Sequence, residues 1–189
     1  MRKIVSFMHI SLDGLIAGPN GEMDWIRVDN EIFDYAGDRT NNSDTALYGR
    51  VTYDMMEGYW PTAADKPNPS KHDIEHSTWY KQVDKVVLSR TMNGQQRDKT
   101  TIIHDDVEKQ IRAIKEKPGK EIIIFGSPRA TQSLMQYGLV DEFWLFVNPV
   151  LLGKGIALFK DVPGKVSLKL LNSHAFSSGV VCLHYETVK

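Results

Sequence analysis

Residues 121–125 read Glu-Ile-Ile-Ile-Phe, and in residues 3–10 Ile4, Val5, Phe7, Met8 and Ile10 put apolar side chains on both faces of a strand. A strand that is apolar on successive positions has no face to offer to water, so the sheet that holds it is covered on both sides. Helices supply such cover, and helix signals lie between the strand-like runs. Val107, Ile111 and Ile114 recur at i, i+4 and i+7 behind Asp105-Asp106 and stop at Pro118-Gly119. Ser127-Pro128 is a helix start with Ser at the N-cap and Pro at N1, and Ala130, Leu134 and Tyr137 carry it to Gly138. This alternation predicts a mainly parallel α/β sheet with helices on both faces.

The remaining chain is assigned in the same way. A turn-rich loop follows the first strand, marked by Asp13-Gly14 and by Gly18-Pro19-Asn20-Gly21. Residues 29–37 read as a short helix, with Asp29 at its cap and Gly37 at its end. Residues 44–48 read as a strand running into Gly49-Arg50, and residues 51–57 as one or two helical turns. Residues 60–70 hold three prolines and read as loop, and 71–82 as a helix. Strands are expected at 85–89, 100–104 and, as one long element, 141–152. Residues 166–174 and 180–188 flank Ser177-Ser178-Gly179 and predict an antiparallel hairpin at one edge of the sheet. No repeat or low-complexity tract interrupts this order, so residues 1–189 are read as one domain.

Composition excludes several functions. The 23 Lys+Arg against 24 Asp+Glu leave a net charge of −1, with no excess that points to nucleic acid or to an anionic membrane. The single cysteine, Cys182, rules out an intrachain disulfide and a multi-thiolate zinc site, and no metal is expected. No apolar run approaches the ~20 residues that span a bilayer, and the N-terminus lacks a signal peptide's apolar core. A cytoplasmic setting is expected.

Ligands of open parallel sheets bind where strand ends meet helix starts. Three junctions qualify: Tyr48-Gly49-Arg50-Val51-Thr52, Leu88-Ser89-Arg90-Thr91 and Phe125-Gly126-Ser127-Pro128-Arg129. Each combines a small residue, free backbone N–H groups or hydroxyls, and a guanidinium, which is the chemistry of a phosphate site. Neither a G-x-G-x-x-G turn nor a Walker loop occurs. His72 and His76 share i,i+4 spacing but have no third ligand in sequence, and read as an exposed helix face.

Four segments taken in order, residues 11–17, Gly49-Arg50-x-Thr52, Leu88-Ser89-Arg90 and residues 124–129, resemble the dihydrofolate reductase superfamily. Residues 139–143 and 148–155 are similar to the reductase half of the bifunctional riboflavin-biosynthesis deaminase–reductases. Leu15 stands where those reductases carry a lysine, and no zinc-deaminase signature is present. The resemblance implies a dihydrofolate reductase-like three-layer fold and NADPH-dependent hydride transfer to a pyrimidine- or pterin-like substrate. It also implies a homodimer, which the apolar residues 143–152 and 156–159 suggest independently. The alternative is a nucleotide-binding module that kept the fold and lost turnover.

The same resemblance places Gly49, Arg50 and Thr52 at the cofactor's pyrophosphate, and Leu88, Ser89 and Arg90 near its 2′-phosphate. Gly126, Ser127, Pro128 and Arg129 fall on the pyrophosphate and nicotinamide side, and Ile16 and Ala17 in the loop over the nicotinamide. His9, Asp13, Trp25 and Phe33 are the substrate-side candidates: His9 either faces the nicotinamide or is a hydrogen-bonded core histidine, and Trp25 either walls the pocket or covers the core. Asp13 either orients the substrate or closes an Asx-turn before Gly14. Asp29 and Glu31 either deliver a proton through water or serve as helix cap and first-turn carboxylate.

Overall fold

The computed structural model describes the backbone of residues 1–189 and every side chain except that of Asp38. The strands are β1 (Ile4–Ser11), β2 (Leu15–Ala17), β3 (Ser43–Gly49), β4 (Asp84–Leu88), β5 (Thr100–Ile103), β6 (Glu121–Phe125), β7 (Glu142–Asn148), β8 (Ile156–Ala157), β9 (Leu168–Ala175) and β10 (Val181–Thr187). The helices are α1 (Asn30–Asn41), α2 (Arg50–Glu57), α3 (Lys71–Gln82), α4 (Val107–Glu116) and α5 (Pro128–Gln136). The architecture is mixed α/β, with mostly parallel strand pairing and an antiparallel pair at one edge, as the alternating pattern predicts.

The chain forms two compact units, Met1–Arg2 with Asn30–Ile123 and Lys3–Asp29 with Ile124–Lys189. In the first, β3, β4 and β5 run parallel, with Thr45 opposite Asp84 and Lys85 opposite Thr100. Leu47, Tyr48, Val87 and Ile111 are fully buried there. Each such side chain contributes about 1.5–3 kcal/mol relative to exposure. Ser70 and Asp73 form a reciprocal capping box at the start of α3, which explains why a sequence of low apolar content holds a helix.

In the second unit, β7 runs parallel to β1 and antiparallel to β10, and β10 pairs with β9. Rings interlock between strands: Phe7 lies 4.8 Å from Phe146 and 5.1 Å from Phe125. Glu142 is buried at the start of β7. His184 Nε2 lies 2.8 Å from one of its oxygens and Lys3 pairs with the other. Burial alone would raise the Glu142 carboxyl. The His184 and Lys3 contacts outweigh that and bring it down to about 2.

Several sequence expectations need correction. β7 ends at Asn148 instead of running to residue 152, because Pro149 has no N–H to continue the ladder. Flanked on both edges, β7 keeps Phe143, Trp144, Leu145 and Phe146 buried within the unit, so these residues supply no surplus for a partner. α1 continues past Gly37 to Asn41, and the proline-rich stretch contains a 3₁₀ helix over Trp60–Asp65 with Pro at its start. Ser127 occupies the N-cap of α5 without a side-chain capping bond. The α3 histidines are not an exposed face. His76 is buried, 4.0 Å from the Trp60 ring, and His72 stacks on Phe33 at 3.8 Å. Burial drives His76 down to about 3.

Candidate functional site

In the first unit, parallel register sets two of the junctions side by side. Gly49 is paired with Leu88 and Leu88 with Ile103, so all three strands reach their C-terminal ends together. Arg50 opens α2 immediately after Gly49, whose extended backbone (φ −83°) forms the N-cap without any side-chain cap. Free N–H groups at such a helix start suit an anion. Thr52 is buried in the first turn of α2. Ser89 is buried, donates its backbone N–H to Ile103 and has its hydroxyl 3.3 Å from that of Thr91.

The two guanidiniums at this edge differ. Arg50 is half-exposed and paired with Asp54 one helical turn away at 2.9 Å. Arg90 is exposed and makes no ion pair or hydrogen bond among the described residues. Arg90 therefore presents its full fork of donors, while Arg50 must share its own. Phe33 is held in the stack with His72, and Glu31 is exposed on the first turn of α1.

The second unit holds the third junction. Gly126 has φ +54°, a left-handed conformation that suits glycine, and its N–H donates to the Phe7 carbonyl. A Cβ built there would meet nothing within 4 Å, so the backbone is open on that side. Pro128 begins α5 behind the buried Ser127. Arg129 is exposed and makes no ion pair or hydrogen bond among the described residues.

Ile16 and Ala17 are buried in β2, which pairs with β8, an element missed in the sequence because two residues carry no periodicity. Gly155, next to β8, lies so close to Ala17 that a Cβ would overlap the Ala17 carbonyl oxygen. Asp13 is exposed, and its carboxylate accepts from Ser11 Oγ at 2.5 Å and from the N–H groups of Gly153 and Leu152 at 2.7 and 3.2 Å. The Ser11 and Gly153 bonds lower its pKa. His9 stacks on Phe146 at 4.9 Å, and burial takes it down to about 4. Trp25 donates its indole N–H to the Glu22 carbonyl, and Asp29 is half-exposed just before α1.

The sequence reading passed over Asn148. Its side chain is buried, accepts the Arg27 N–H at 2.8 Å, and donates to the Phe146 carbonyl at 3.0 Å. The signal was present in Asn-Pro after an apolar strand, where only a side chain can replace the missing backbone donor.

Residues 2–182 match the RibD C-terminal domain family. The uncharacterized protein YyaP of Bacillus subtilis (strain 168) is 37% identical over 187 residues, which cover 98% of this chain and 95% of that protein. The deaminase/5-amino-6-(5-phosphoribosylamino)uracil reductase of Thermotoga maritima superposes with a TM-score of 0.68 at 16% identity, covering 99% of this chain and 57% of that one. Dihydrofolate reductase from Enterococcus faecalis, solved with NADP(H) and RAB-propyl, gives a TM-score of 0.63 at 14% identity, covering 99% and 97%. Both structural likenesses carry the fold alone, a mixed α/β fold shared with these reductases. Among the described residues no group of three or more His, Cys, Asp or Glu side chains could hold a metal, and no helix is long and apolar enough to cross a membrane.

Proposed function

We propose, starting from the fact that this chain belongs to the RibD C-terminal domain family, that it is an NADPH-dependent reductase of a small pyrimidine- or pterin-like heterocycle. The observation that carries this reading is the pairing of Gly49 with Leu88, which sets Arg50 and Ser89-Arg90 at adjacent strand ends. Two guanidiniums, a helix start and a buried serine hydroxyl fit a ligand with several phosphate charges. In the second unit, the open backbone at Gly126, together with Arg129, which makes no ion pair or hydrogen bond among the described residues, also suits phosphate.

When bound, the cofactor supplies the hydride. The chain's part is binding and orientation. Arg90, with Arg50, reads the 2′-phosphate, and Gly49 and Thr52 hold phosphate from the α2 start. Gly126 to Arg129 take up phosphate at the start of α5. Ile16 and Ala17, held by β8, form a wall that excludes water, and His9 and Trp25 stand on the substrate side. Asp13 acts through the loop it holds, since its carboxylate is engaged by three donors. Asp29 and Glu31 are the carboxylates proposed to pass a proton to the product.

The protein is proposed to act as a homodimer. The support is β9, an edge strand on which Leu168, Leu170 and Leu171 remain 38–50% exposed. Sedimentation equilibrium showing only a 21.4 kDa species would remove this part of the reading.

The deciding experiment is NADPH oxidation by the purified protein against a panel of pterins, aminopyrimidine ribosyl phosphates and quinoid compounds. Saturable oxidation with one of them is the expected result. NADPH binding without turnover on any would favour a binding module, and absence of both binding and turnover would overturn the proposal.

A further inference from the structure

We propose that the first unit carries a second ligand site, a pocket at the N-terminal end of β4 that takes a small organic anion, one carboxylate or phosphate on a ring-sized body. A cavity of about 370 Å³ opens there, a volume within the range of small-molecule sites. Lys81, Lys85 and Arg97 line it together with Glu57 and Asp98, so three cations face two carboxylates. One of those carboxylates is engaged, because the Tyr80 hydroxyl donates to Glu57 at 2.7 Å. The rings of Tyr53 and Tyr80 complete the wall and offer flat apolar surface to a planar body.

Lys85 is the decisive group. It is 6% exposed on a strand whose next residues, Val86 and Val87, are core. Its ammonium reaches the Val83 carbonyl only at 3.4 Å and lies 4.6 Å from the Tyr80 ring centroid. Among the described residues it forms no ion pair. A buried ammonium with three donors and one long hydrogen bond has lost solvation that an anion can replace. Tyr48, beside Tyr53 but outside the lining, is a second unsatisfied group. It is fully buried, its ring lies 6.5 Å from that of Tyr53, and its hydroxyl finds no partner among the described residues.

The pocket is separate from the phosphate junctions. Lys85 precedes Leu88 by three residues, ~10 Å along an extended strand, and Leu88 is the residue paired with Gly49. Arg97 reaches the pocket from the turn before β5, where it bridges to Thr100 opposite Lys85.

Amide chemical-shift titration of the whole protein with benzoate and, separately, phenyl phosphate tests the site, and the better probe identifies the headgroup. The expected result is saturable binding of at least one probe with shifts at residues 53–57, 80–85 and 97–98, weakened about tenfold by loss of one charge-assisted contact in Lys85→Met and in Arg97→Met. Arg97 is exposed, so its replacement leaves folding intact and keeps the test valid if Lys85→Met does not fold. Absence of saturation by either probe at about 10 mM, far above a useful small-ligand affinity, overturns the proposal. So does binding that both variants leave unchanged, or shifts confined to residues 49–52 and 89–91.

Discussion

Asp13 accepts the backbone N–H of Gly153 at 2.7 Å, and thereby ties the turn after β1 to a loop 140 positions further along the chain. The Ser11 hydroxyl and the Gly153 and Leu152 amides together lower the Asp13 pKa. The tie is therefore complete above the ordinary carboxylate range and is lost as pH falls through the lowered value. The Gly153 and Leu152 amide resonances are expected to titrate in step with Asp13, below the usual aspartate midpoint. In Asp13→Asn that titration disappears and both amides exchange faster with solvent.

Glu142 gives a stability test. Its folded-state pKa, about 2, lies below the unfolded value of 4.5, so its contribution is complete above pH 4.5 and is lost as pH falls toward 2. The full effect is about 3 kcal/mol. Glu142→Ala should lower urea stability at pH 7 by a similar amount, about 3 kcal/mol, because His184 and Lys3 lose their shared partner. A loss below 1 kcal/mol, the scale of a surface pair, would refute this account.

His76 acts in the same direction, over a higher pH range. Its folded-state value, about 3, is below the unfolded 6.5, so as pH falls below 6.5 the unfolded chain takes up a proton that the native protein refuses. Stability lost this way between pH 6.5 and 4.5 is about 2 kcal/mol. His9, with a value of about 4, acts in the same direction over that window. The measurement is therefore a difference: His76→Phe should flatten the wild-type pH dependence of the urea midpoint, and an identical slope in both proteins would exclude His76.

Arg90 should matter more than Arg50 for cofactor choice. Arg50 already has Asp54 as a partner, whereas Arg90 has none among the described residues. Wild type is expected to prefer NADPH to NADH by about tenfold or more, the value of one charge-assisted phosphate contact. Arg90→Ala should remove most of that preference and Arg50→Ala less of it. Equal affinities in the wild type would end the assignment.

If Asp29 or Glu31 supplies the proton, then Asp29→Asn or Glu31→Gln should shift the pH–rate profile of the reductase reaction. Profiles unchanged in both variants would leave water as the proton source.

The strands β1 and β6 and the β9–β10 hairpin were legible because the signals lie within each segment: unbroken apolar runs, or two runs around Ser-Ser-Gly. The adjacency of Arg50 and Arg90 followed from parallel order alone. What escaped depends on residues distant in sequence. His76 sits among polar neighbours and reads as solvated until Trp60 is laid against it. Asp13 reads as a turn residue until residues 152–153 arrive. Lys85 stands one position into a β-branched strand, and only the neighbouring Tyr80 shows that its charge is buried. Gly37 is an ordinary helix stop by composition, yet α1 continues through it to Asn41.

Gly155 leaves no room for a side chain against the Ala17 carbonyl. The segment carrying Ile16 and Ala17 therefore cannot be transplanted by itself. A loop exchanged between this protein and a relative has to bring residues 14–17 and 153–157 as a matched set. A chimera that swaps only the first of these would inherit a mismatched joint at the wall proposed to shield the reaction from water.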